Sequence, residues 1–210
     1  MDRGMMRVMY MNSQSMMNKL NELRAIVEMR KPDIIAITET WTNPGIANAI
    51  LAINGYEIVA RNDINDTEGG RGGGVIVYVR DEVNVWEEER QSGFNQYVSV
   101  KMKTHKRETC LYVIYRSPNS KRENDDAMCE WIRDLKGSVL IVGDLKFQGI
   151  DWQNGTSDLK GRPFYEARSD AFLEQHVTKA MHINGNLLDL VLSNESDVIQ
   201  ELNIEGPNGT

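Results

Sequence analysis

Long apolar runs are absent from this 210-residue sequence. No segment approaches the ~20 residues a helix needs to cross a bilayer, so neither a membrane-spanning helix nor a membrane partner is expected. Nor is there a secretory leader pattern: Met1-Asp2-Arg3-Gly4 runs into Met-rich sequence rather than an apolar h-region. Cysteine is scarce. Cys110 and Cys129 are too few and too far apart for a disulfide framework or a zinc site, and they read as buried free thiols of a reducing compartment. An intracellular setting is therefore expected, and the Asn-x-Ser/Thr sequons at Asn65, Asn154, Asn194 and Asn208 carry no weight. Excess positive charge is missing too. With 24 Lys and Arg against 31 Asp and Glu, the net charge of −7 counts against non-specific nucleic-acid binding. It does not exclude a nuclease, because metal-binding carboxylates raise the acidic count and a bound cation reverses the local field.

What is present fits one globular domain. At 40% hydrophobic and 26% charged the composition is ordinary, and a chain this long buries roughly 70% of its unfolded surface. Basic residues do cluster locally. Lys101, Lys103, Lys106 and Arg107 read as a solvated strand edge, while Arg116, Lys121 and Arg122 leave phosphate contact open. Two short apolar runs, Asp33–Glu39 and Val139–Asp144, each end on a carboxylate. Each reads as a buried strand delivering an acid at its C-terminal end, where layered α/β folds place their sites. Two such acids suit hard-cation binding through oxygen.

Periodicity organises the rest. Arg7–Asn12 reads as a strand, and Met16, Leu20, Leu23, Ile26 and Val27 then mark an amphipathic helix over about 15–30, with Ser15 as N-cap. Lys31-Pro32 stops it, and the Asp33–Thr38 strand completes a strand–helix–strand unit. Strands are expected at Tyr56–Ala60, Val75–Val79, Tyr97–Met102 and Thr109–Tyr115, the last two joined by a polar hairpin loop. The run Gly69–Gly74 lacks the Lys-Ser/Thr ending of a phosphate loop and opens a strand, so it reads as a turn. A helix over Asn124–Lys136, a strand over Val139–Val142, a helix over Pro163–Gln175 and strands at 188–192 and Val198–Ile204 finish the chain. No repeat, linker or low-complexity tract divides it.

Five phrases in this order carry a resemblance. Pro32-Asp33-Ile34-Ile35-Ala36-Ile37-Thr38-Glu39-Thr40-Trp41, Gly72-Gly73-Gly74-Val75, Tyr115-Arg116-Ser117-Pro118, Gly149-Ile150-Asp151-Trp152 and Leu188-Asp189-Leu190-Val191-Leu192 resemble the endonuclease/exonuclease/phosphatase superfamily. Its nearest branch is the endonuclease domain preceding reverse transcriptase in non-long-terminal-repeat retrotransposons. The resemblance implies a mixed α/β fold with two packed sheets flanked by helices, a four-layer α/β/β/α sandwich that is here C-terminally incomplete. It implies Mg²⁺ (or Mn²⁺) held by Glu39 with Asn12 beside it, and Tyr115 touching the scissile phosphate or a site acid. Asp144 would orient or deprotonate the attacking water, with Asp189 in support; Arg116 and Lys146 would contact substrate. DNA is the implied substrate, a C-terminal reverse transcriptase the implied partner, and the nucleus the implied location if genomic DNA is cut.

The pattern breaks in two places. The family's Gly-Asp-x-Asn motif is Gly143-Asp144-Leu145-Lys146 here, which puts a point charge where an amide normally holds the phosphate. Lys146 would touch phosphate, repel the metal, or pair with Asp144. The family's closing Ser-Asp-His is not reached: the sequence stops at Gly206-Pro207-Asn208-Gly209-Thr210, as in a fragment or a decayed copy. His105, His176 and His182 do not match the family histidine. Two functions are expected to compete: a metal-dependent DNA-nicking endonuclease, and an impaired homologue that keeps the fold and binds metal or nucleic acid.

Overall fold

The first strand, β1 (Val8–Asn12), is followed by helix α1 (Met16–Arg30) and strand β2 (Ile34–Thr38), which lies parallel to β1 with Asn12 opposite Thr38. The computed structural model describes residues 5–63, 72–88, 93–103, 107–177 and 189–204. Expectations for Gly69–Arg71, His105, Lys106, His182, Leu188 and the final residues 205–210 lie outside these. Strands β3 (Tyr56–Asn62) and β4 (Val75–Arg80) complete a four-stranded sheet in the order β1-β2-β4-β3.

The second sheet collects the rest of the chain. Strands β5 (Val85–Glu87), β6 (Tyr97–Lys103) and β7 (Glu108–Tyr115) form an antiparallel run. Helix α2 (Arg122–Asp134) then crosses to β8 (Ser138–Asp144), parallel to β7. A small ladder of β9 (Ile150–Asp151) and β10 (Thr156–Ser157) leads to helix α3 (Arg162–Asp170). Strand β11 (Glu174–Gln175) and strand β12 (Asp189–Ser193) close a six-stranded sheet ordered β11-β12-β8-β7-β6-β5.

Side-chain alternation makes the layers. Along β2, Ile34 and Ala36 enter an apolar core shared with Val98, Val100, Leu111, Val113, Leu140 and Val142 of the second sheet, so this core lies between the sheets. The alternate residues Ile35 and Ile37 pack with Met16, Leu20, Leu23 and Val27 of α1 on the outer face. On the far side Tyr112, Ile114, Val139 and Ile141 pack beneath α2 and α3, where Trp131 stacks on Tyr97 with ring centroids 4.4 Å apart and Phe147 on Phe164 at 4.6 Å. The arrangement is the expected α/β/β/α sandwich. Gly143 is needed for it: a methyl group there would meet the Ile114 carbonyl oxygen at 2.1 Å, so only glycine lets β7 and β8 pair one residue before Asp144.

Several local expectations change. The helix expected to run to Gln175 ends at Asp170; Phe172 adopts a φ of 56°, and Glu174–Gln175 pairs instead with Leu192–Ser193. Among the described residues from 198 to 204 there is no strand; Val198 and Ile199 pack against the inter-sheet core while their backbone joins no ladder. Strand β5 escapes the sequence pattern because its three residues sit among acids and owe their conformation to pairing with β6. Ser15 precedes α1 but makes no side-chain cap; its backbone has a φ of 88°. Cys110 and Cys129 are buried and free, as expected.

Candidate active site

The same period of two that builds the core delivers the site. Residues 140 and 142 of β8 face the inter-sheet space, so Asp144 does as well; by the same parity Tyr115 of β7 and Asp189 of β12 share that face. Asp144 is register partner to Tyr115 on one side and to Asp189 on the other, which places three chemistry-bearing side chains as direct cross-strand neighbours. From the opposite sheet β1 contributes Tyr10 and Asn12. The Asn12 amide donates to Asp144 Oδ2 at 2.7 Å, and the Tyr10 hydroxyl donates to Asp189 Oδ1 at 2.8 Å. The site therefore closes one end of the sandwich where both sheets release their strands.

Glu39 arrives through a strained turn. Its backbone has a φ of 52°, and Trp41 and Lys146 follow suit at 53° and 50°. Each left-handed non-glycine residue costs about 1–2 kcal/mol, a strain that persists only where surroundings over-determine it. They do so here. The Glu39 carbonyl accepts from the Ser13 hydroxyl and the Ser15 N–H, both at 2.9 Å, while Thr40 accepts the Met16 N–H and Trp41 N–H reaches the Gly73 carbonyl at 3.0 Å. The start of α1 and the glycines before β4 thus clamp the turn from two sides. A methyl group on Gly72, where φ is 125°, would stand 3.3 Å from the Tyr115 hydroxyl and 3.8 Å from Glu39 Oε2, so the bare glycine backbone borders the site.

Lys146 joins the acids. Its Nζ lies 2.6 Å from Glu39 Oε1 and 3.0 Å from Asp144 Oδ2, and the Trp41 indole donates to Glu39 Oε2 at 3.0 Å. Burial alone would push the Glu39 carboxyl up, but the hydrogen bonds from Lys146 and Trp41 and the Lys146 charge outweigh it and hold Glu39 below its usual range. Asp144 goes the other way: burial, then the neighbouring Asp189, pushes it up to about 7 against the pull of Lys146. Its Oδ1 is buried without a protein hydrogen-bond partner. Burial and the adjacent Glu39 raise the Tyr115 hydroxyl to about 12, and burial with the adjacent Asp189 holds Tyr10 well above its ordinary value, so both stay protonated donors at neutral pH.

These contacts decide how well a divalent cation suits the residues as arranged. The implied ligands are Glu39 and Asn12. Both Glu39 oxygens already accept donors, Asn12 Oδ1 accepts the Gln14 N–H at 3.1 Å, and the Lys146 ammonium pairs with both Glu39 and Asp144. Among the described residues no three His, Cys, Asp or Glu side chains form a cluster able to hold a metal ion. The present arrangement does not fit a divalent ion.

Arg116, expected to contact substrate, is enclosed. Arg116 is 1% exposed, its guanidinium paired with both oxygens of Asp125 at 2.8 and 2.7 Å and lying 4.1 Å from the centre of the Phe147 ring. A cation so enclosed ties α2 to the end of β7 and is closed off from solvent. Two members of the first basic cluster are paired: Lys101 with Glu88 at 2.9 Å and Arg107 with Glu195 and Asp197. His176 sits beside β11 with its Nε2 2.8 Å from Ser193 Oγ, away from the acids. Sequence reasoning missed Tyr10 and Trp41. Tyr10 had a signal, standing two residues before Asn12 and hence on the same strand face.

A family model described as the endonuclease/exonuclease/phosphatase family matches residues 9–147, more than half of the chain, from β1 past Lys146. The chain belongs to the endonuclease/exonuclease/phosphatase family. Solved structures share the family fold at low identity. An AP endonuclease from Leishmania major is 14% identical with a TM-score of 0.66, over 90% of this chain and 78% of that one. The endonuclease domain of TRAS1, a telomere-specific non-LTR retrotransposon, is 15% identical with a TM-score of 0.64 over 93% of both. A 3′ phosphatase from Neisseria bound to a product DNA hairpin is 13% identical, with a TM-score of 0.61 over 92% of this chain and 88% of that one. No curated protein sequence matches the chain. Among the described residues no helix is long and apolar enough to cross a membrane.

Proposed function

We propose that this family member is a phosphodiesterase-type domain that nicks DNA, as the endonuclease part of a retrotransposon-like protein whose full length carries a reverse transcriptase. The observation that carries the reading is the meeting of Asn12, Glu39, Tyr115, Asp144, Lys146 and Asp189 at one end of the two-sheet sandwich. The likeness to DNA-acting relatives supports the substrate class, and the retrotransposon phrases of the sequence support the branch. In this reading Asp144 takes the proton of the attacking water. Its affinity for a proton, raised to about 7, matches that of an effective general base at neutral pH, and its partnerless Oδ1 is the oxygen that receives it. Asn12 fixes the carboxylate by donating to the other oxygen. Tyr115 offers a protonated hydroxyl to the phosphate, and Lys146 supplies positive charge beside it.

Supercoiled plasmid incubated with the protein in buffer containing Mg²⁺ or Mn²⁺ tests this. Accumulation of nicked circles above a Glu39→Ala control is expected; equal rates would sink the hydrolase reading for this chain. A second reading is favoured by the ion pairs that Lys146 makes with Glu39 and Asp144. It is a homologue with impaired chemistry that still binds DNA. Fluorescence anisotropy with a labelled duplex, together with gain of nicking in Lys146→Asn, would identify it.

A further inference from the structure

We infer that Lys146 is the resident cation of this site, a tethered ammonium occupying the place between Glu39 and Asp144 for which a divalent ion must compete. Three observations carry this. The Nζ lies within 2.6 and 3.0 Å of one oxygen from each carboxylate, so it is a bridge rather than a bystander. The backbone at Lys146 is held left-handed, with a φ of 50°, just after the strand that delivers Asp144. The side chain is only 18% exposed against 7% for Glu39, so water screens the pair weakly and the exchange cannot be treated as the loss of a surface ion pair. A divalent ion placed between the same two oxygens would sit in contact with the ammonium, and like charges at that distance repel strongly in a part-buried setting. Entry therefore requires Lys146 to leave both acids. The inference rests on the proposed phosphodiester site only in naming a divalent ion as the competitor, and it is independent of whether DNA is cut.

Mn²⁺ binding to the DNA-free protein, followed by electron paramagnetic resonance of the free ion and by calorimetry, tests it. Lys146→Asn and Lys146→Gln remove the charge while keeping a polar side chain of similar or smaller size. Both are expected to bind Mn²⁺ at least tenfold more tightly than the wild type, about 1.4 kcal/mol. Their thermal unfolding should rise with added Mn²⁺ while that of the wild type stays nearly level over the same concentrations. Should Lys146→Asn fail to fold, Lys146→Gln decides. A wild-type affinity within tenfold of the folded variant overturns the inference. Because no nucleic acid is present, a failure here leaves the plasmid result standing, and a failure to nick leaves this comparison standing.

Discussion

Two cation–carboxylate pairs lie at neighbouring strand ends and do opposite things. Arg116, one residue past Tyr115 of β7, grips Asp125 of α2 through two parallel hydrogen bonds while 1% exposed. Lys146, two residues past Asp144 of β8, spans Glu39 and Asp144 while 18% exposed. The guanidinium is planar and matches a carboxylate two bonds to two, so it saturates Asp125 and joins a helix to a sheet. The ammonium is a compact point charge on a flexible stem. It holds two acids from different sheets together but leaves Asp144 Oδ1 without a partner. The geometry of the first pair is finished, whereas that of the second is open. That difference separates a structural ion pair from one placed in a site.

The largest effect should come from breaking the closed pair. Arg116→Ala leaves Asp125 without its fork and removes the cation from the Phe147 ring, and breaking a buried pair from one side costs about 3–5 kcal/mol. Urea unfolding followed by circular dichroism reads this directly. Replacing both partners, in Arg116→Met with Asp125→Leu, should recover much of the loss, because no charge is then left buried alone. A double variant as unstable as Arg116→Ala would mean that the pair does more than hold α2, and the contrast with Lys146 would weaken.

The open pair should show itself in pH dependence. Asp144 keeps its proton in the folded chain up to about 7, whereas an unfolded aspartate releases it near 3.9. Between those values the folded state holds more protons than the unfolded state, so stability falls as pH rises and levels off above about 7. Asp144→Asn should remove that slope, which melting temperatures from pH 4 to pH 8 would reveal. In the same variant nicking should drop by about 10²–10⁴-fold, the range of general acid–base contributions. Wild-type nicking should rise with pH through about 7, as the carboxylate becomes free to accept a proton. A flat rate profile over this range would remove Asp144 from the base role.

How much of this was legible depends on the distance over which each feature is specified. The strand ends at Glu39 and Asp144 were readable because a continuous apolar run and its terminal acid are adjacent in sequence. The meeting of Asn12 with Asp144 was not readable from periodicity, since it joins residues 132 apart, and only the family resemblance supplied it. The enclosure of Arg116 was not readable, because the sequence shows a cation after a strand but not the Asp125 carboxylate that α2 brings over it. The early end of α3 had the same cause. Phe172 and Glu174 carry no breaker signal, and pairing with β12 overrides their helical pattern. Lys146 was visible as a departure from the motif, but its choice among phosphate, metal and acid required the geometry of both sheets.

The smallest effect belongs to a third carboxylate at the same end, which has a neutral partner. Asp189 accepts from the Tyr10 hydroxyl, which also lies 2.9 Å from Thr38 Oγ1, so a chain of uncharged groups links β12 to the first sheet. The charge of Asp189, next to Asp144 in register, pushes the proton affinity of Asp144 upward. Tyr10→Phe removes one hydrogen bond while keeping the ring, and should cost about 1–2 kcal/mol of stability. Urea unfolding of Tyr10→Phe beside the wild type reads this loss, which should be well below that of Arg116→Ala. A loss as large as that of Arg116→Ala would show that this neutral link holds the two sheets as firmly as the closed ion pair holds α2.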